Sequence, residues 1–142
     1  MSNRMVFVNL PVKDLDRAKQ FYTALGYRMD ERFSDENAAS FMISDQIVVM
    51  VLVESFFETF TDKRVADSNT SSEVMVALSA ESKDEIDTTL KKAIAAGAVE
   101  TTSQGDQPEM DPDLMYSRSF DDPDGHRWEY VWMDMSKVPE TT

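Results

Sequence analysis

Residues 7–27 read FVNLPVKDLDRAKQFYTALGY, and their pattern decides the fold. Leu15, Ala18, Phe21, Tyr22 and Leu25 recur at helical spacing and mark the buried face of an amphipathic helix. Asp14 is a natural N-cap, because its carboxylate can accept from the unpaired N–H groups of the first turn. Gly26 follows the last turn as the residue through which the chain leaves the helix. Upstream, the stretch from Met5 to Leu10 is apolar and β-prone, and Pro11 limits pairing at its end. The chain therefore opens with a strand and then a helix.

The same order recurs. Residues from Val74 to Leu78 read as a strand, and Ser82-Lys-Asp-Glu85 is a capping box. Ile86, Leu90, Ala93 and Ile94 form the apolar stripe behind it, and Gly97 ends the helix as Gly26 does. Phe7 to Gly26 spans 19 positions and Met75 to Gly97 spans 22, a difference compatible with internal duplication. Strand candidates follow each helix: 27–33, 39–43 and 46–53 in the first half, then 99–102, 114–120 and 127–133 in the second. Ser44-Asp45 is a short hairpin break, and Asp122-Pro-Asp-Gly125 is a strong turn signal.

Each half is thus β-α-β-β-β, which predicts an α+β fold of two tandem βαβββ modules. They fall at about residues 4–54 and 73–134 of one domain spanning 1–142, with a linker at 55–72 and a tail at 135–142. Phe56, Phe57 and Phe60 in the linker read as a short helix or anchored loop that packs between modules or in a dimer interface. Residues 103–113 form a long irregular loop. Its carboxylates Asp106, Glu109, Asp111 and Asp113 do not match a calcium-binding loop, so they read as a solvated surface, with a lid as the functional alternative.

Composition narrows the function. The 142 residues hold 27 Asp and Glu against 14 Lys and Arg, a net charge of −13, with one His and no Cys. No disulfide, thiolate nucleophile or thiolate metal site can form, and a metal site needing two His from one chain is excluded. The acidic balance argues against nucleic acid and against an anionic membrane surface, and leaves cationic small molecules as partners. The longest apolar run, Ile47 to Val53, is far short of the roughly 20 residues that span a bilayer. The opening MSNRMVFVNL lacks the apolar stretch of a signal peptide, so a cytoplasmic protein is expected.

The opening segment and the closing DDPDGHRWEYVWM together resemble the vicinal-oxygen-chelate superfamily of glyoxalases, bleomycin-resistance proteins and extradiol dioxygenases. The shared opening pattern rests here on Val12, Asp14, Leu15, Ala18, Phe21, Tyr22, Leu25 and Gly26. The closing one is Asp-Pro-Asp-Gly followed four residues later by Glu129. The resemblance covers nearly the whole chain. It implies two βαβββ modules whose curved sheets enclose a cup, commonly in a homodimer.

In metal-dependent members, as the resemblance implies, four His, Glu or Gln side chains meet in that cup and hold a divalent ion. Carried across, those positions fall on Phe7, Met50, Met75 (or Glu73 if the register slips by two) and Glu129. Only Glu129 is of ligand type at the unslipped positions, since phenylalanine cannot coordinate and a thioether suits hard ions poorly. A two-residue slip would offer Asn9 and Glu73 beside Glu129. The expectation is a cup without a metal or other cofactor, filled by apolar volume from Phe7, Met50 and Met75.

Other residues carry alternatives. Trp128, Tyr130 and Trp132 share one face of their strand, and Glu129 lies on the other. A carboxylate held among Phe and Met side chains suits a general acid or base, which makes Glu129 the one catalytic candidate. The competing reading pairs it with Arg118 or Arg127. Tyr116 and Arg118 share a face. If that face is the cup, Arg118 could clamp a substrate carboxylate; if it is the outer face, Arg118 is a surface or dimer residue. His126, three residues before Glu129, points to the opposite face and reads as turn packing. No nucleophile-elbow motif and no Gly-rich phosphate loop are present.

The sequence therefore points to a protein that binds a small molecule in a metal-free cup lined by Phe7, Asn9, Met50, Met75, Tyr116, Arg118 and Glu129. The alternative is a glyoxalase- or dioxygenase-type enzyme that uses a divalent metal, or Glu129 as general base.

Overall fold

The computed structural model describes residues 3–101 and 111–137. The chain divides into two compact units, one of residues 1–71 with 123–126 and one of residues 72–122 with 127–142.

The first unit is built from β1 (Val6–Val12), α1 (Leu15–Ala24), β2 (Arg28–Met29), β3 (Ala38–Met42), β4 (Ile47–Val53) and the short α2 (Glu54–Phe57). Its sheet runs β1-β4-β3-β2, with β1 parallel to β4 and the other pairs antiparallel. Helix α1 begins where the Asp14 carboxylate accepts from Arg17 N–H at 3.1 Å. It buries Leu15, Ala18, Phe21 and Tyr22 against the sheet. The Tyr22 ring meets Phe41 of β3 at 5.6 Å. Register places Phe41 beside Val49 and Ala39 beside Val51, and all four are fully buried, so the core of this unit lies between α1 and that sheet face. Each such apolar side chain contributes roughly 1.5–3 kcal/mol by leaving water, less for alanine.

Two of the differences from the sequence reading have a clear local cause. Strand β1 continues through Pro11, which sits opposite Leu52. Val6 N–H donates to Gln46 O, so the even-numbered residues bond to β4 and Pro11 turns its missing N–H to the open edge. Strand β2 covers only Arg28–Met29, because the Asp30 side chain accepts from Arg32 N–H and turns the chain into a 3-10 segment, Glu31–Phe33.

The second unit repeats the plan with β5 (Met75–Ser79), α3 (Lys83–Ala95), β6 (Val99–Glu100), β7 (Met115–Asp121) and β8 (Arg127–Met133). Its sheet runs β5-β8-β7-β6, again with the first strand parallel to the last. Glu85 N–H donates to the Ser82 hydroxyl at 3.1 Å, and the Glu85 carboxylate accepts from Glu81 N–H at 2.6 Å, one residue before the expected reciprocal bond. Ile86, Leu90 and Ala93 of α3 form a buried core with Leu78, Phe120, Trp128 and Tyr130. The architecture is α+β: two four-stranded mixed sheets, each with a helix on one face.

Among the described residues no helix is long and apolar enough to cross a membrane. Asp106 and Glu109, with most of the loop that contains them, lie outside the described residues, while Asp111 and Asp113 are exposed.

Candidate functional site

In the first sheet the pleat assigns the sequence candidates to one face. Asn9 is paired with Met50 and Phe7 with Val48, while Phe41 and Val49 point to α1. Phe7, Asn9 and Met50 therefore share the face away from α1, where Ser40 stands beside Met50. Phe7 is 57% exposed, so a large aromatic ring stands open to solvent.

In the second sheet Ala77 is paired with Glu129 on one side and Ser119 on the other. Met75 lies two residues along β5 and shares that face, away from α3, and is 65% exposed. Glu73 precedes β5 and is exposed. The sheet thus brings Met75 and Glu129 to one surface.

Tyr116 and Arg118 are not on it. Ser119 opposes Glu129, so Arg118 and Tyr116 point the other way, toward α3. There the Arg118 guanidinium forms a two-pronged pair with Glu100, both bonds at 2.8 Å, and reaches Asp87 of α3 at 3.0 Å. Tyr116 donates its hydroxyl to the same Asp87 oxygen at 2.6 Å. The grouping of Tyr116 and Arg118 with Glu129 is therefore corrected: the guanidinium closes an ion cluster under α3. Their electrostatics follow the contacts. The Tyr116 hydroxyl, then Arg118, hold the Asp87 carboxyl below its ordinary value, and Arg118 does the same for Glu100. The Asp87 bond raises the Tyr116 hydroxyl in turn, and Glu100 first of all raises the guanidinium.

Nor does the expected ion pair to Glu129 form. Arg127 shares its face, but Nε and Nη2 both go to Asp121 directly opposite, at 2.9 and 3.2 Å, and raise the affinity of Arg127 for its proton. Among the described residues Glu129 faces no cation at ion-pair distance.

His126 is a turn anchor. Its Nε2 lies 2.6 Å from Pro11 O, and a carbonyl can only accept, so Nε2 carries the proton. Nδ1 lies 3.1 Å from the Ser68 hydroxyl, which can serve as either partner in that bond. Beside it the buried Asp124 accepts from Lys13 N–H at 2.9 Å and from Arg17 at 3.0 Å. These bonds tie the Asp-Pro-Asp-Gly turn into the first unit. Sequence reasoning missed Asp124, Asp87 and Glu100, whose partners lie too far along the chain for any local pattern to reveal.

The metal positions implied by the resemblance can be tested by donor chemistry. Phe7 offers no lone pair, Met50 and Met75 offer thioethers, and Glu129 alone offers an oxygen. Among the described residues no three His, Asp or Glu side chains cluster closely enough to hold an ion. This donor set does not fit a catalytic divalent ion.

Comparison with known proteins agrees with the fold. Residues 4–44 match the family model for the bleomycin resistance protein-like N-terminal region. A hypothetical protein from S. aureus is 27% identical over 93% of this chain and 94% of its own, with a TM-score of 0.70. A glyoxalase-related enzyme from Fulvimarina pelagi is 20% identical, covering 91% of this chain and 87% of its own, with a TM-score of 0.72. Lactoylglutathione lyase from Agrobacterium tumefaciens is 16% identical over 98% of this chain and 100% of its own, with a TM-score of 0.65. No curated protein sequence matches.

Proposed function

We propose that this chain, whose fold is that of the glyoxalase-related structures and whose residues 4–44 match a bleomycin-resistance-like N-terminal model, binds a small organic molecule against the sheet faces turned away from the helices, without a resident metal. What supports this reading is the chemistry at the four positions where the resemblance would place metal ligands. Phe7, Met50 and Met75 replace ligands with apolar volume, and two of them, Phe7 and Met75, stand open to solvent. Large apolar side chains on an exposed face suit the apolar body of a ligand, and methionine adapts to its shape.

The working form in this reading is a homodimer. β1 and β5 are edge strands without a charged residue in a chain of net charge −13, so an edge there meets a second copy without charge repulsion. A second reading, an enzyme with Glu129 as general base, draws on a carboxylate that has no ion-pair partner among the described residues.

A thermal-shift screen of small molecules in EDTA, run on wild type and Met75→Lys, tests the proposal. Hits that raise Tm in EDTA and vanish in Met75→Lys are expected. Stabilisation seen only with added divalent metal would overturn the reading. Turnover of a hit that persists in EDTA and is lost in Glu129→Gln would favour the enzyme, and equilibrium sedimentation reads the dimer directly.

A further inference from the structure

The face of the second sheet that carries Glu129 holds few charges. Arg127 and Asp121 close on each other across β7 and β8, and contribute little net field. Arg118 is on the other face, engaged by Glu100 and Asp87. Glu129 is therefore the charge left over on this face among the described residues. Its two directly opposite neighbours, Ala77 and Ser119, are small, so neither strand partner carries a bulky side chain over the half-buried carboxylate. The Ser119 hydroxyl is tethered to Thr101 at 2.5 Å, which fixes a polar oxygen beside the carboxylate. Along the same face lie Met75 and Val131, an apolar surface next to an anion.

We propose that Glu129 selects an organic cation: the ligand is a primary amine whose ammonium docks on the Glu129 carboxylate while its apolar body lies on Met75 and Val131. This rests on the metal-free reading above and names the ligand class. An ammonium supplies three donors, enough for the carboxylate and the neighbouring Ser119 oxygen. Among the described residues a carboxylate or phosphate ligand would find no free cation on this face, and it would face the repulsion of Glu129. A divalent ion would find a single carboxylate. The net charge of −13 further favours the approach of cations.

The test is a titration with benzylammonium, benzyl alcohol and benzoate in EDTA, followed by amide chemical shifts, on wild type, Glu129→Gln and Met75→Lys. Circular dichroism confirms that each variant is folded. Benzylammonium is expected to bind wild type at least about tenfold more tightly than benzyl alcohol, as a charge-assisted bond requires. Glu129→Gln is expected to abolish that preference while leaving the alcohol unchanged. Equal binding of alcohol and amine, preference for benzoate, an amine preference that survives Glu129→Gln, or no binding of any probe each overturns the proposal. In the first case, alcohol binding that is lost in Met75→Lys leaves the metal-free binding face standing, so the two readings fail separately.

Discussion

Gly125 and Gly26 both have positive φ, +90° and +98°, yet alanine should cost more at one than at the other. At Gly26 an added Cβ meets nothing within 4 Å, so Gly26→Ala carries only the left-handed backbone penalty, about 1–2 kcal/mol. At Gly125 the same Cβ would sit 2.6 Å from Asn69 Oδ1 and 2.9 Å from both Asn69 N and Ser68 C. The side-chain oxygen can swing away, but the two backbone atoms belong to the segment whose Ser68 hydroxyl serves His126. Forced overpacking adds about 1–3 kcal/mol, so Gly125→Ala is expected to cost about 2–5 kcal/mol in all. Urea denaturation followed by far-ultraviolet circular dichroism reads both variants. Asparagine sharpens the comparison, because it tolerates positive φ and yet carries a Cβ. Gly26→Asn should recover most of the loss, and Gly125→Asn should not. Equal destabilisation of the two alanine variants, within about 0.5 kcal/mol, would refute the claim that close packing of the turn holds it in place.

Three further outcomes follow from the contacts. Asp124→Ala removes the acceptor of Lys13 N–H and Arg17 and should cost roughly 1–3 kcal/mol by urea denaturation, whereas a loss under 0.5 kcal/mol would deny the turn its anchor. Arg118→Met should destabilise at neutral pH, modestly because its carboxylate partners are largely exposed. Asp87 and Glu100 are held below their ordinary values when folded, so the stability they contribute is present above those values and lost as pH falls through the lowered ones. The gap between wild type and Arg118→Met should therefore shrink below about pH 4, and a gap that stays constant to pH 2.5 would contradict the assignment. Glu129→Gln should leave stability within about 0.5 kcal/mol of wild type, since no ion pair is lost; a large loss would reveal a structural role.

The strands and helices that local chemistry specifies were legible in the sequence. Asp14 and Gly26 bracket α1 because capping and positive φ are properties of single residues. Strand β8 occupies Arg127–Met133 as read, because a turn signal precedes it and its aromatic residues alternate. Strand β2 was overread because a local bond from Asp30 competes with the ladder. The site was less legible. Parity groups Tyr116 with Arg118, but whether they share a face with Glu129 depends on the register between β7 and β8, and their engagement under α3 depends on Asp87, 31 residues from Arg118. The role of the Asp-Pro-Asp-Gly turn was likewise hidden, since Asp124 answers to Lys13, 111 residues away.

The central claim is that this chain uses the sheet faces turned away from its helices without a metal ion. Inductively coupled plasma mass spectrometry on purified, untagged protein tests it most directly, after incubation with Zn, Ni, Mn and Fe(II) and removal of free metal. The account predicts far less than one ion per chain, with wild type and Glu129→Ala alike. About one ion per chain, lost in Glu129→Ala, would contradict it.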